Sequence, residues 1–430
     1  MEFLCGAARE KITPVIGAHL SGYNPDVVST NVHDDLTATA VAFSDGNETM
    51  LLISATVCDI NTELATELRG KISEKCGVPS ENIILAAIHT HSGPNVCGSE
   101  GWGTIDHEYV NTIFLPSLLK ASSDAVTAMV PSELGSASGK SEVGINRRQQ
   151  NRDGSINLGQ NPWGLYDPTM TVITVRSLSD KRGIINLIHY GCHCTACGIS
   201  GDISRDWAGV MIDRLEAATG TLTAFINGAE GDVGPRLTNG KTVGNISLVE
   251  EHGAYAAFDA VQIARQVRSF ITPEIRFKHG NVKLPYQDLP SLEEVVSEIK
   301  SIGNPSSLCN IGYLKYHHLT RVKEIIEKNH ENLPDAYVYP TITAIIGNIV
   351  FLPFPFEVFS EISLRLREYS GYQNTLCLSC ANGYNSYLPT QDQLCRGGYE
   401  VDAFRYTSDY ALADNTDENI INETLKILES

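Results

Sequence analysis

Glu81-Asn82-Ile83-Ile84-Leu85-Ala86-Ala87-Ile88-His89-Thr90-His91-Ser92-Gly93-Pro94 is the stretch that decides how this chain is read. An unbroken apolar run, Ile83 to Ile88, gives way abruptly to polar and turn-forming residues. The run is short, rich in isoleucine and closed by Gly93 and Pro94, so it predicts a buried strand. Alternate residues of a strand share a face, which puts His89 and His91 side by side at its carboxyl end. Two imidazoles there suit a metal ion or acid–base chemistry. Two solvated loop histidines would produce the same pattern in this stretch alone.

Outward from this stretch, one rhythm occurs three times. Met50 to Val57 closes on Cys58-Asp59, a helix follows with Leu64, Leu68 and Ile72 on one face, and Ile83 to Ile88 closes on His89. The stretch 183–194 leads through a helical segment at 205–220 to a second apolar run at 221–227 and the loop Gly228-Ala229-Glu230-Gly231-Asp232-Val233-Gly234-Pro235. The stretch 348–359 leads through a helix to 374–389. Asp59 and His89 share their spacing with Glu357 and Tyr387, which reads as a weak internal duplication. Such strand–helix–strand units predict an α/β fold of mixed β-sheets flanked by helices, with the site at the carboxyl ends of the strands.

Elsewhere, 6–30 reads as a covering loop, Leu36 to Phe43 as a strand, Val110 to Val130 as a helix and 134–160 as polar and glycine-rich. Residues 247–270 read as helical and 275–286 as a strand. Within 290–330, Leu292, Val295, Val296 and Ile299 fall at helical spacing, and Gly303-Asn304-Pro305 separates two helices. The expected partition is one catalytic-type domain, 1–430, with this helical excursion.

The chain has 430 residues, 42% of them hydrophobic, ample for a large core. Its net charge of -19 disfavours nucleic acid and anionic membrane surfaces. No signal pattern opens it, no apolar stretch is long enough to span a bilayer, and its 11 cysteines are an odd number. A cytoplasmic protein with reduced thiols is expected.

Two further clusters carry chemistry. His189-Tyr190-Gly191-Cys192-His193-Cys194-Thr195-Ala196-Cys197 holds enough thiols and imidazoles for a zinc site, or is a buried strand end with small side chains. Glu357 follows Phe354-Pro355-Phe356, where a carboxylate needs a partner or a metal unless it opens a helix. Tyr384, Tyr387 and Tyr399 follow in a loop-rich region, and Cys377 and Cys380 read as lying within an apolar strand.

Taken in order, the motifs at 89–94, 192–195, 204–209, 231–235, 355–357 and 387–390, with Tyr399-Glu400 beyond, resemble the catalytic domain of the neutral/alkaline, non-lysosomal ceramidases. The likeness runs from residue 7 to about 403. It implies one zinc ion held by His89, His193, Glu357 and Tyr387, with His91, Tyr399 and Arg147 as further site residues. It implies hydrolysis of an amide in a small-molecule substrate by a metal-activated water. In that mechanism His91 shuttles protons, Tyr399 donates to the oxyanion and Arg147 fixes a polar or anionic end of the substrate. Asp206 or Asp232 would orient a ligand histidine. The sequence departs from the family at Gly234, where the family has a serine, and a family C-terminal immunoglobulin-like domain is not expected. Loss of that serine is expected to open space beside the metal and to favour a soluble N-acyl compound or a lactam over ceramide. A metal-dependent lyase or isomerase, or a non-catalytic ligand-binding member, would use the same residues. Oligomeric state has no sequence signal.

Overall fold

The computed structural model describes residues 2–304, 308, 310–328 and 333–430. Its largest sheet takes β1 (Leu4–Lys11), β2 (Thr37–Ser44), β3 (Thr49–Ala55), β4 (Ile83–Ala87), β5 (Val130–Lys140), β6 (Thr169–Ser177), β7 (Gly183–Tyr190) and β8 (Leu222–Asn227) in the order β8-β7-β6-β5-β1-β2-β3-β4. A second sheet takes β9 (Ile275–Pro285), β10 (Ala336–Ile346), β11 (Ile349–Pro353) and β12 (Asn374–Leu378) in that order. The pairs β3/β4, β7/β8 and β11/β12 are parallel. A helix bridges each: α1 (Thr62–Cys76), then, past α2 (Leu115–Thr127), α3 (Asp206–Thr219), and, beyond α4 (Ile246–Ala264), α5 (Leu292–Ile302) and α6 (Asn310–Glu327), α7 (Ser360–Tyr369). The chain closes on α8 (Tyr399–Tyr406) and α9 (Thr416–Glu429).

The sheets face each other across a core that includes Phe43, Leu52, Ile84, Ile342, Phe351 and Leu376. Helices α1 and α2 cover the outer face at one end of the large sheet, and α3 and α4 cover it at the other. Helices α7 and α9 cover the far face of the second sheet. Strand β4 shows why its sequence reads as continuous apolar. Ile84 and Ala86 face the inter-sheet core while Ile83, Leu85 and Ala87 face the helices, so neither face tolerates a polar residue. Mixed sheets flanked by helices are thus as the strand rhythm predicts. Two helices fill the excursion, and Pro305 lies outside the described residues. Among those residues no helix is long and apolar enough to cross a membrane.

Two expectations are corrected, and one stretch gains a structure. The stretch 6–30 is not all loop, because its start belongs to β1, an interior strand. The helix expected from Val110 to Val130 begins with a wide turn over Val110–Phe114, continues as α2 to Thr127, and Val130 already belongs to β5. The stretch 134–160 opens inside β5, whose small residues hide its alternation. A side chain at Gly139 would strike Ile263 at 2.8 Å, so α4 lies directly on that strand.

Candidate metal centre

The carboxyl ends of the three parallel pairs meet. Strand β3 delivers Cys58 and Asp59, β4 His89, β7 His193, β8 Glu230, β11 Glu357, and β12 Cys380. Strand alternation does not place the His89–His91 pair, because β4 stops at Ala87 and His89 has a φ of 66°. That left-handed turn, which costs a non-glycine residue about 1–3 kcal/mol, swings the rings edge to face at 4.9 Å. Their Nε2 atoms stand 3.2 Å apart.

Hydrogen bonds fix the tautomers. His89 Nδ1 faces Asp59 Oδ1 at 2.9 Å and the Cys58 carbonyl at 3.1 Å. His193 Nδ1 faces the carbonyls of Glu230 at 2.9 Å and Val233 at 3.1 Å. All four partners accept, so in the neutral form of each ring Nδ1 carries the proton and Nε2 presents a lone pair. Those lone pairs converge on Glu357 Oε2, 3.3 Å from His89 Nε2 and 2.9 Å from His193 Nε2. Neither His193 Nε2 nor Glu357 Oε2 has a hydrogen-bond partner, although both are buried. Electron-rich atoms crowded together in a buried site are costly unless a cation sits among them. His89, His193 and Glu357 form a buried set with the donors and spacing to hold a metal ion. Burial, with the Arg147 guanidinium, pushes the His193 imidazole down to about 3, so it stays neutral. Burial works against charge on Glu357 and on His89, but each holds the other charged, the carboxyl well below its usual range and the imidazole well above; a cation held between them takes the place of that proton.

Two other potential ligand sets, Cys58-His89-His91 and Asp59-His89-Cys380, also include His89. Burial pushes the Cys58 thiol up to about 12, which favours thiol over thiolate. Among the described residues, Cys192, Cys194 and Cys197 enter no such set; they are buried free thiols, and Cys192 and Cys194 are packed in the core beneath α3. Cys380 lies just past β12, not within it.

Tyr387 reaches the site through a short parallel pairing of Phe356–Val358 with Ser386–Leu388, which sets Glu357 opposite Tyr387. Its hydroxyl accepts from Arg147 Nη2 at 3.0 Å, and its ring stacks on His193 at 6.5 Å. Arg147 Nε donates to Glu400 Oε1 at 2.8 Å, and Arg148 Nη1 to Glu400 Oε2 at 2.7 Å. Arg147 therefore sits buried behind Tyr387, whereas Tyr399 and His91 stand on the wall of a cavity of about 180 Å³ in front of the ligand set. Burial, with His89 and His193 nearby, keeps His91 well below the usual imidazole range.

The imidazole partners are not the aspartates expected. Asp206 accepts from the backbone of Ala196, Cys197 and Trp207, and Asp232 from Ser360 and Asn146. Burial raises each to about 6. Asp59 takes the orienting place, and its position at the end of β3 was the available signal. Tyr384, whose hydroxyl donates to Glu357 Oε1 at 2.9 Å, had no such signal. Trp207 of α3 fixes the His193 loop from below, its indole donating to the His193 carbonyl at 2.9 Å. Gly234 does not open space beside the ligands. A side chain there would meet Thr242 Cγ2 at 2.7 Å and Cβ at 2.8 Å, so Thr242 fills the volume.

No protein-family model matches the sequence, and no curated protein matches it either. Solved structures do match. The crystal structure of neutral ceramidase from Pseudomonas aeruginosa aligns at a TM-score of 0.75 and 17% identity, over 100% of this chain and 75% of that one. A ceramidase complexed with C2 aligns at 0.76 and 17%, over the same shares. The chain has a ceramidase-like fold.

Proposed function

We propose that this protein is a zinc-dependent hydrolase that cleaves an amide bond, with His89, His193, Glu357 and Tyr387 holding the ion. The observation that carries this reading is the meeting of two imidazole lone pairs and a partnerless carboxylate oxygen in a buried pocket. When bound, zinc supplies a Lewis acid that polarises a carbonyl and acidifies a water.

The protein's own residues do the rest. Asp59 and the Glu230 and Val233 carbonyls lock both ligand histidines in one tautomer. His91, kept neutral by burial, takes a proton from the attacking water and passes it to the leaving amine. Burial holds the Tyr399 phenol well above its usual range, so it stays a donor for the developing oxyanion. Arg147, paired with Glu400, positions Tyr387.

The proposed substrate is a water-soluble N-acyl compound or a lactam, because a net charge of -19 disfavours anionic lipid surfaces. The cytoplasm is the proposed setting. Elemental analysis of purified protein is expected to find about one zinc per chain. That zinc should be lost in His193→Ala and Glu357→Gln, and a panel of N-acyl amines and lactams should release free amine. Metal that stays bound in both variants would sink the ligand assignment. Proton exchange on the panel without amine release would move the reaction to a lyase or isomerase.

A further inference from the structure

One wall of the cavity belongs to neither sheet. Trp102, in the loop after β4, and Leu314, on α6, both line it. Several contacts fix this wall. Glu100 accepts from Arg321 of α6 at 2.7 Å. Asn95 Nδ2 donates to the Trp102 carbonyl at 3.1 Å, and the Trp102 ring meets Tyr399 edge to face at 6.5 Å. Asn310, at the start of α6, donates to the Tyr23 carbonyl at 3.2 Å, and the Tyr23 ring packs against His91 at 4.7 Å. The helical excursion is therefore tied to the two loops that border the site.

The cavity's volume is about 180 Å³, and its mouth is open. A cavity of about 150 Å³ takes one benzene ring, so this one has room for roughly seven or eight heavy atoms. Its lining is also mixed, with Asn61, Ser99, Asn385 and Thr407 beside Trp102 and Leu314. A long alkyl chain would have to run out through the mouth into water, and it would find no continuous apolar surface on the way.

Taking the amide-hydrolase reading as given, we propose that Trp102 and Leu314 set the size of the substrate: the group lodged against them is compact and polar, and long acyl chains are excluded. Chelating hydroxamates with acetyl, hexanoyl and decanoyl chains probe this without turnover, by calorimetry on zinc-loaded protein. Acetohydroxamate is expected to bind at least about tenfold more tightly than the decanoyl compound. The double variant Trp102→Ala/Leu314→Ala, at unchanged zinc content, is expected to shrink that ratio by about tenfold. Affinity that climbs with chain length in the parent, or a ratio untouched in the double variant, overturns the inference while leaving the hydrolase reading standing. Failure of every hydroxamate to bind zinc-loaded protein overturns the reading and the inference together.

Discussion

Asp59 accepts the Nδ1 proton of His89 alongside the Cys58 carbonyl, and these acceptors decide which ring nitrogen faces the ligand set. An amide in its place can turn a donor toward Nδ1 and favour the wrong tautomer. Asp59→Asn is therefore expected to weaken zinc binding by about 10–100-fold, read by competition with a chromogenic chelator. Affinity equal to the parent would show that the Cys58 carbonyl suffices alone. Gly234 gives a second residue-level test. Its missing side chain is answered by Thr242, so Gly234→Ser is expected to destabilise the fold by about 1–3 kcal/mol through overpacking. Gly234→Ser/Thr242→Gly should recover much of that loss in urea melts. A single variant as stable as the parent would mean that Thr242 yields freely.

At the scale of elements, the parallel pairs were legible and several antiparallel strands were not. Strand β4 is sealed on both faces, so its sequence is one apolar run that can be read without any partner. Strand β1 reads Leu-Cys-Gly-Ala-Ala-Arg-Glu-Lys, and its small residues answer the closeness of α2 instead of an alternating pattern. A Cβ at Gly6 would stand 2.2 Å from the Ala125 carbonyl oxygen and 2.6 Å from the Met129 nitrogen. Gly6→Ala is expected to cost about 1–3 kcal/mol or more, because backbone must shift. A urea midpoint within error of the parent would show α2 free to retreat. The same limit applied at the site. The strand ends at His89, His193 and Glu357 stand out as polar residues after apolar runs. Tyr384 could not be assigned, because its bond to Glu357 depends on how the loop after β12 folds back.

For the molecule as a whole, buried histidines away from the ligand set contribute to the response to acid. Burial pushes His189 and His252 down to about 4, well under the usual imidazole value, so the fold prefers both neutral. Their contribution to stability is complete above the unfolded-state value of about 6.5 and is lost as pH falls toward 4. Asp206 and Asp232, raised by burial to about 6, act the other way and cost stability as pH rises through that value. A single variant separates the two effects. His252→Asn is expected to flatten the fall in stability between about pH 6.5 and 4, measured by urea denaturation at each pH. An unchanged slope would assign the acid response elsewhere. One arrangement described above also gives this protein an optical map of itself. Its three tryptophans sit in different zones: Trp163 is 93% exposed, Trp102 borders the cavity, and Trp207 is fully buried with its indole on the His193 carbonyl. Fluorescence from single-tryptophan versions would thus follow the surface, the mouth of the site and the loop beneath His193 as three separate signals.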